Sequence, residues 1–166
     1  GYLTDPRIHF VELDFANSER LCNQLNRLKK EIGGWDYIVH NLGVTKCKNQ
    51  QDFYTINYEY TRNFANALVA CDMVPLKFIY MSSLSVCGKG DEKNHTPIKL
   101  TDTPHPDTNY GKSKLKAEEY LHSLPDSPYI ILRPTGVYGP REKDYLLMMK
   151  TIKWCVDFRS GWSKQL

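Results

Sequence analysis

Apolar and polar positions along this chain alternate between two periods. Ile8-His-Phe-Val-Glu-Leu13, Tyr37-Ile-Val-His40, Lys77-Phe-Ile-Tyr-Met81 and Tyr129-Ile-Ile-Leu-Arg133 are short apolar runs bounded by turn residues, the pattern of strands. Between them apolar residues recur at helical spacing. Asn17 or Ser18 caps a helix whose Leu21, Leu25, Leu28 and Ile32 fall at steps of four, three and four, and Gly33-Gly34 ends it. A long helix from about Asp52 to Cys71 carries Tyr54, Tyr58, Phe64, Ala65 and Leu68 inward, with Asn57 among them. Gly, Pro, Asp, Asn, Lys and Thr crowd residues 88–106, which read as an exposed loop. A third helix opens at Asn109-Tyr110 and runs to about Leu124, before Pro125, and a last one spans about Asp144 to Cys155.

Strand, helix and strand at these spacings predict right-handed crossovers and a parallel sheet with helices on both faces. In such an α/β fold the ligand lies beyond the carboxyl ends of the strands. Polar residues stand at each of those ends: Asp14, the His40-Asn41-Gly43 turn, the Ser82-Ser83-Ser85 cluster and Pro134-Thr135-Gly136. The Tyr110 helix starts from a loop on the same edge, so Ser83 and Tyr110 are expected to converge on one substrate.

Composition narrows the class. The 166 residues suit one domain, and 41% hydrophobic with 25% charged residues is ordinary for a globular protein. A net charge of +3, with no basic stripe interleaved with aromatics, argues against a nucleic-acid partner. No apolar run approaches the roughly 20 residues of a membrane span, and no signal peptide is visible. Cys22, Cys47, Cys71, Cys87 and Cys155 are odd in number and widely spaced, which points to reduced thiols in a cytoplasmic setting rather than disulfides or zinc. The five histidines are equally scattered, and no metal site is expected.

The chemistry lies in Asn109-Tyr-Gly-Lys-Ser-Lys114. A phenol and an ammonium four residues apart share a helix face, so Lys114 can stabilise the phenolate of Tyr110. Bringing a tyrosine from its usual pKa to neutrality takes on the order of 4 kcal/mol, part of which an adjacent cation supplies. With eleven Tyr and fifteen Lys, about one such pair arises by chance, and the chain holds only this one. The surroundings favour function: Gly111, Lys112, Lys114 and Lys116 occupy the first turns, where glycine and cations are both unfavourable. Rules of this kind are most often broken at working sites.

Taken together, Leu13-Asp14, Val39-His40-Asn41-Leu42-Gly43, Asn57, Met81-Ser82-Ser83-Leu84-Ser85-Val86-Cys87-Gly88, the Tyr110–Lys114 pair and Leu132-Arg133-Pro134-Thr135-Gly136-Val137-Tyr138-Gly139-Pro140 occur in a telling order. In that order the chain resembles the extended short-chain dehydrogenase/reductases, within them the NAD-dependent epimerase/dehydratase family. The resemblance implies a Rossmann-like domain with NAD or NADP as cofactor and a nucleotide sugar or related secondary alcohol as substrate. It implies Tyr110 as general acid/base, Lys114 lowering its pKa and bonding the nicotinamide ribose, and Ser83 bonding the substrate oxygen. Asp14 and Phe15 would line the adenine, and Asn41, Leu42 and Gly43 would run under the adenosine ribose and pyrophosphate. Asn57 would stand behind the nicotinamide, with Pro134 and Thr135 beside that ring. Taken alone, Asp14 reads as a turn residue. A plain reductase of the hydroxysteroid or dihydroflavonol type, or a non-catalytic cofactor-sensing protein on the same fold, are the alternatives, and the full-length protein is expected as a homodimer without a membrane or nucleic-acid partner.

Three departures from the family pattern bear on these expectations. The chain contains no Gly-x-x-Gly-x-x-Gly turn to seat a pyrophosphate, Cys87 stands where a tyrosine is usual, and Leu42 where alanine is common. Its first run corresponds to the family's third strand, so the domain reads as truncated at both ends. A family-like placement would leave Ile8–Leu13 separated from Tyr37–His40 by a gap two strands wide. Unpaired backbone lining such a gap is costly, so direct pairing of these two runs is expected, with negligible NAD binding by the 166 residues alone.

Overall fold

The computed structural model describes residues 5–91, 93–125, 128–140 and 143–153. They fall into two units, one up to Thr135 and one from Gly136 onward. The first contains α1 (Ser18–Ile32), β1 (Tyr37–His40), α2 (Gln50–Tyr54), a π-helical turn (Thr55–Glu59), α3 (Tyr60–Ala70), β2 (Lys77–Met81), a 3-10 turn (Leu84–Cys87), α4 (Asn109–Ser123) and β3 (Tyr129–Leu132). The second contains α5 (Asp144–Lys153), where Gly136 lies so near Tyr145 that a Cβ would meet its hydroxyl. Cys155 lies outside the described residues, as does the end of the expected last helix.

The three strands form one parallel sheet in the order β1-β2-β3, Ile38 opposite Phe78 and Tyr80 opposite Ile131. Ile38, Phe78 and Tyr80 point to the face that carries the core, joined by Leu21 and Leu25 of α1, Phe64 and Leu68 of α3, and Ala117 and Leu121 of α4. On the opposite face Tyr37, Val39, Ile130 and Leu132 are exposed. Within this unit, therefore, helices cover one face of the expected two. The cause is the direction of travel: strands added in the order 1-2-3 by right-handed crossovers place successive helices on the same side.

Helix boundaries follow local chemistry. Asn17 is the cap of α1, its side chain accepting from the Arg20 amide at 3.0 Å, and Gly33 closes the helix at φ 83°. Leu21, Leu25 and Leu28 are buried as their spacing requires, whereas Ile32, in the last turn, is exposed. The expected long helix runs without a gap from Gln50 to Ala70 but widens into the π turn around Asn57 before resuming as α3. Tyr54 and Tyr58 are only half-buried, under the ammonium of Lys116 at 5.7 and 4.6 Å from their ring centres.

One expectation fails. Ile8–Leu13 is not a strand and does not pair with β1. Its end is clipped to α1 instead: Gln24 accepts from the Asp14 amide at 2.9 Å and donates to the Glu12 carbonyl at 3.3 Å. Leu13 and Phe15 then pack on the helical layer, with Phe15 edge-on to Phe64 at 5.2 Å. Anchored there, the segment cannot reach β1. A cleft of about 340 Å³, lined by Phe15, Trp35, Tyr37, Val39 and Leu42, lies beside β1.

At the β3 edge, beneath α4, the sheet is held by charge. Glu118 of α4, 1% exposed, accepts from Ser82 and from both Nε and Nη2 of Arg133, the latter at 2.6 Å. Removing one member of a buried pair leaves the other charge uncompensated, at a cost of about 3–5 kcal/mol. Glu118→Ala is expected to lower the urea-unfolding free energy by about 3 kcal/mol, and adding Arg133→Met should recover part of that loss.

Candidate active site

The site is built on α4. Thr108 caps it, accepting from the Gly111 amide at 3.0 Å. Gly111 sits so close to the Ser85 carbonyl that a Cβ would lie 2.4 Å from that oxygen, so only glycine lets the helix start abut the turn after β2. Three residues on, Lys114 donates to the Met81 carbonyl at 2.9 Å, and four beyond that Glu118 takes Ser82. Gly111, Lys114 and Glu118 form one stripe at helical spacing, and all three meet residues 81–85. Tyr110 lies beside that stripe, half-exposed, with its ring edge-on to Phe53 at 6.3 Å.

Ser83 caps the 3-10 turn, its hydroxyl accepting from the Ser85 amide at 3.2 Å and donating to Ser85 Oγ at 3.1 Å. The Leu84 amide donates to the Pro134 carbonyl at 2.9 Å, which ties this turn to the end of β3, with Thr135 exposed just beyond. From the other side comes the turn after β1. A Cβ on Gly43 would lie 2.9 Å from Asn57 Oδ1 and 3.0 Å from Lys114 Nζ. Asn57 is wholly buried; it accepts from the Val44 amide at 2.8 Å and donates to the Val44 carbonyl at 3.1 Å and to Ser113 Oγ at 3.0 Å. Ser83, Gly43, Asn57, Tyr110, Lys114 and Pro134 thus gather at the carboxyl edge of the sheet.

Burial shapes the electrostatics. Lys114 is 4% exposed, and loss of water pulls its pKa down to about 8, with Glu118 opposing the shift. His40, at the end of β1, is lowered to about 4 by burial first and by the Lys114 charge second. Its Nε2 lies 3.0 Å from Thr61 Oγ1, and the Thr61 hydroxyl donates to the Asn57 carbonyl at 2.9 Å. With that hydrogen committed, the histidine must be the donor of the first bond.

The remaining expected residues lie along the vacant edge. Asp14 accepts from the Ala16 and Asn17 amides at 3.2 and 3.3 Å and pairs with Arg20 at 3.1 Å, the geometry of a turn residue. It also lines, with Phe15, Ala16, Arg20, Leu42 and Tyr60, an open cleft of about 390 Å³. Leu42 and Phe15 border both this cleft and the neighbouring one, which Asn41 also lines. Among the described residues there is no group of three or more potential metal ligands, the described cysteines are free, and no described helix is long and apolar enough to cross a membrane.

A parallel sheet with a Tyr–Lys helix seated at its carboxyl edge has relatives. The model of the NAD-dependent epimerase/dehydratase family matches residues 2–157. The chain belongs to this family. Over 77 residues, 45% of this chain and 23% of the relative, it is 42% identical to a UDP-glucose 4-epimerase of Vibrio cholerae. The UDP-glucuronic acid 4-epimerase of Bacillus cereus, solved with NAD, is similar over 91% of this chain and 46% of its own, with a TM-score of 0.70 and 26% identity. RMD of Pseudomonas aeruginosa, solved with NADPH, shares the fold with a TM-score of 0.71 at 24% identity, over 87% of this chain and 48% of its own. The chain therefore spans less than half the length of these relatives.

Within this family member, the sequence assigned no site role to Tyr80, Ser113, Glu118 or Arg133, and placed His40 only at the end of a strand and in the turn that follows. Ser113 and Glu118 stand three residues after Tyr110 and four after Lys114, a helical signal that was legible. Tyr80 and Arg133 carried none, because only pairing of β2 with β3 brings them to α4.

These burials make stability depend on pH. His40 and Lys114 are both held below their unfolded values, so the unfolded chain binds the extra proton first as pH falls. The His40 contribution is full above about 6.5 and is lost as pH falls to about 4; the Lys114 contribution is full above about 10.5 and is lost by about 8. In urea unfolding across a pH series, the wild type minus His40→Gln difference should change only in the acid window. The corresponding difference for Lys114→Met should change only in the alkaline one.

Proposed function

We propose that this chain carries the proton-transfer half of an NAD(P)-dependent enzyme that acts on a nucleotide sugar or related secondary alcohol. The observation that carries the reading is the Tyr110–Lys114 pair on a helix whose first turn abuts the Ser83–Ser85 turn. Tyr110 as phenolate accepts the proton of the substrate hydroxyl while the carbon loses hydride, and returns it when hydride comes back. Ser83, holding its own hydroxyl through Ser85, orients the substrate oxygen. Lys114, beside Tyr110 on α4, supplies positive charge that favours the phenolate.

The residues fit a dinucleotide at one end. Gly43 presses against Lys114 Nζ and Asn57, so a bare backbone faces the ammonium where a ribose would bond. Lys114, Asn57, Pro134 and Thr135 would hold the nicotinamide end; Asp14, Phe15, Asn41, Leu42 and Gly43 would hold the adenosine. NAD or NADP, when bound, accepts and returns the hydride. UDP-sugar epimerases among the relatives support a nucleotide sugar as substrate and hydride return to the opposite face as the reaction.

Two measurements test the reading. In a form of the protein that spans the full length of its relatives, Tyr110→Phe should leave the NAD dissociation constant nearly unchanged. It should cut UDP-sugar turnover by roughly 100-fold or more; near-native turnover would remove Tyr110 from its role. In calorimetry on the 166 residues alone, NAD affinity should be negligible for want of a glycine-rich turn. A micromolar dissociation constant would mean that the cofactor site is misplaced.

A further inference from the structure

Tyr80, in the middle of the three-stranded sheet, is entirely buried, and its ring meets two titratable groups. The Lys114 ammonium stands over it, 4.9 Å from the ring centre. The His40 imidazole is stacked with it at 5.9 Å and 25°. We propose that Tyr80 is a positioning residue for Lys114: the negative face of its ring, rather than its hydroxyl, keeps the ammonium charged and aimed at the site.

The surroundings leave the ring that task. A buried ammonium has three N–H groups to satisfy, and the Met81 carbonyl takes one. Of the charged groups that face it, Glu118 on α4 is already engaged by Ser82 and doubly by Arg133, just after β3, so its charge is shared. Tyr110, one turn before it on α4, is half-exposed, its ring edge-on to Phe53. From the π turn, Asn57 presents a neutral amide whose own bonds go to Val44 and Ser113. His40 on β1 adds no competing cation at neutral pH, being held neutral by burial. A cation over a desolvated aromatic face is favoured in its charged form, by on the order of one pH unit in the lysine's titration. The ring also fixes direction, because Nζ must stay over it while donating to Met81.

The proposal matters for catalysis only if Lys114 works as proposed above, but its test needs no substrate. With 13Cε-labelled lysine, the Lys114 resonance, assigned through Lys114→Arg, is titrated by NMR in the 166-residue chain. Tyr80→Phe keeps the ring and should titrate with the wild type. Replacement of Tyr80 by 3,4,5-trifluorophenylalanine, which keeps shape but drains the ring face, should lower the Lys114 pKa by about one pH unit; both variants preserve the packing, and amide dispersion verifies the fold. An unchanged pKa in the fluorinated variant overturns the proposal, as does an equal fall in Tyr80→Phe, which would assign the effect to the hydroxyl. A normal titration series combined with native turnover in Tyr110→Phe would sink the catalytic reading alone.

Discussion

The burial of one ammonium at the end of a sheet is the constraint on which the site depends. Lys114 is on a helix that could pack in many rotations, and what fixes the rotation is the stripe of Gly111, Lys114 and Glu118 against residues 81–85. Bare backbone at Gly111 permits contact, the lysine reaches a strand-end carbonyl, and the glutamate finds a serine and an arginine. Each alone is a modest interaction. Together they set the position of Tyr110, which lies beside the stripe, half-exposed and edge-on to Phe53.

Holding a cation there demands that everything around it be neutral, paired or polarisable. His40 stays uncharged, Arg133 is matched by Glu118, and an aromatic ring lies beneath the ammonium. Asn57 performs a related task for the turn after β1, bonding both backbone groups of Val44 from a π turn. Such widened turns occur frequently at functional sites. Here the turn lets one side chain serve a strand end and a neighbouring helix together.

The other margin of the sheet is arranged differently. β1 has no strand on its outer side among the described residues, and the segment before α1 is held by Gln24 and Phe15 rather than by a ladder. Asp14 follows that segment and spends its carboxylate on local amides and Arg20. The expectation of direct pairing gave weight to the cost of an open edge. Against it stand α1, packed on α3, and a single glutamine that bonds the Glu12 carbonyl and the Asp14 amide and so holds the end of the segment on the helix.

How much was legible follows from range. Three of the four strand runs, a helix start at Asn17 or Ser18, the Gly33 stop and the Tyr110–Lys114 spacing are set by residues within a few positions of one another, and the sequence by itself determined them. The family pattern likewise reads directly from the order of its short motifs. Only the tertiary structure decided that Ile8–Leu13 is unpaired, that the helix around Asn57 widens, and that helices in this unit lie on one face. It alone decided that Tyr80 and Arg133, 34 residues before and 19 after Lys114 in the chain, meet the helix that carries it. Those outcomes depend on which distant backbone groups find partners and where buried charge can be balanced, quantities that no local pattern of apolar and polar residues encodes.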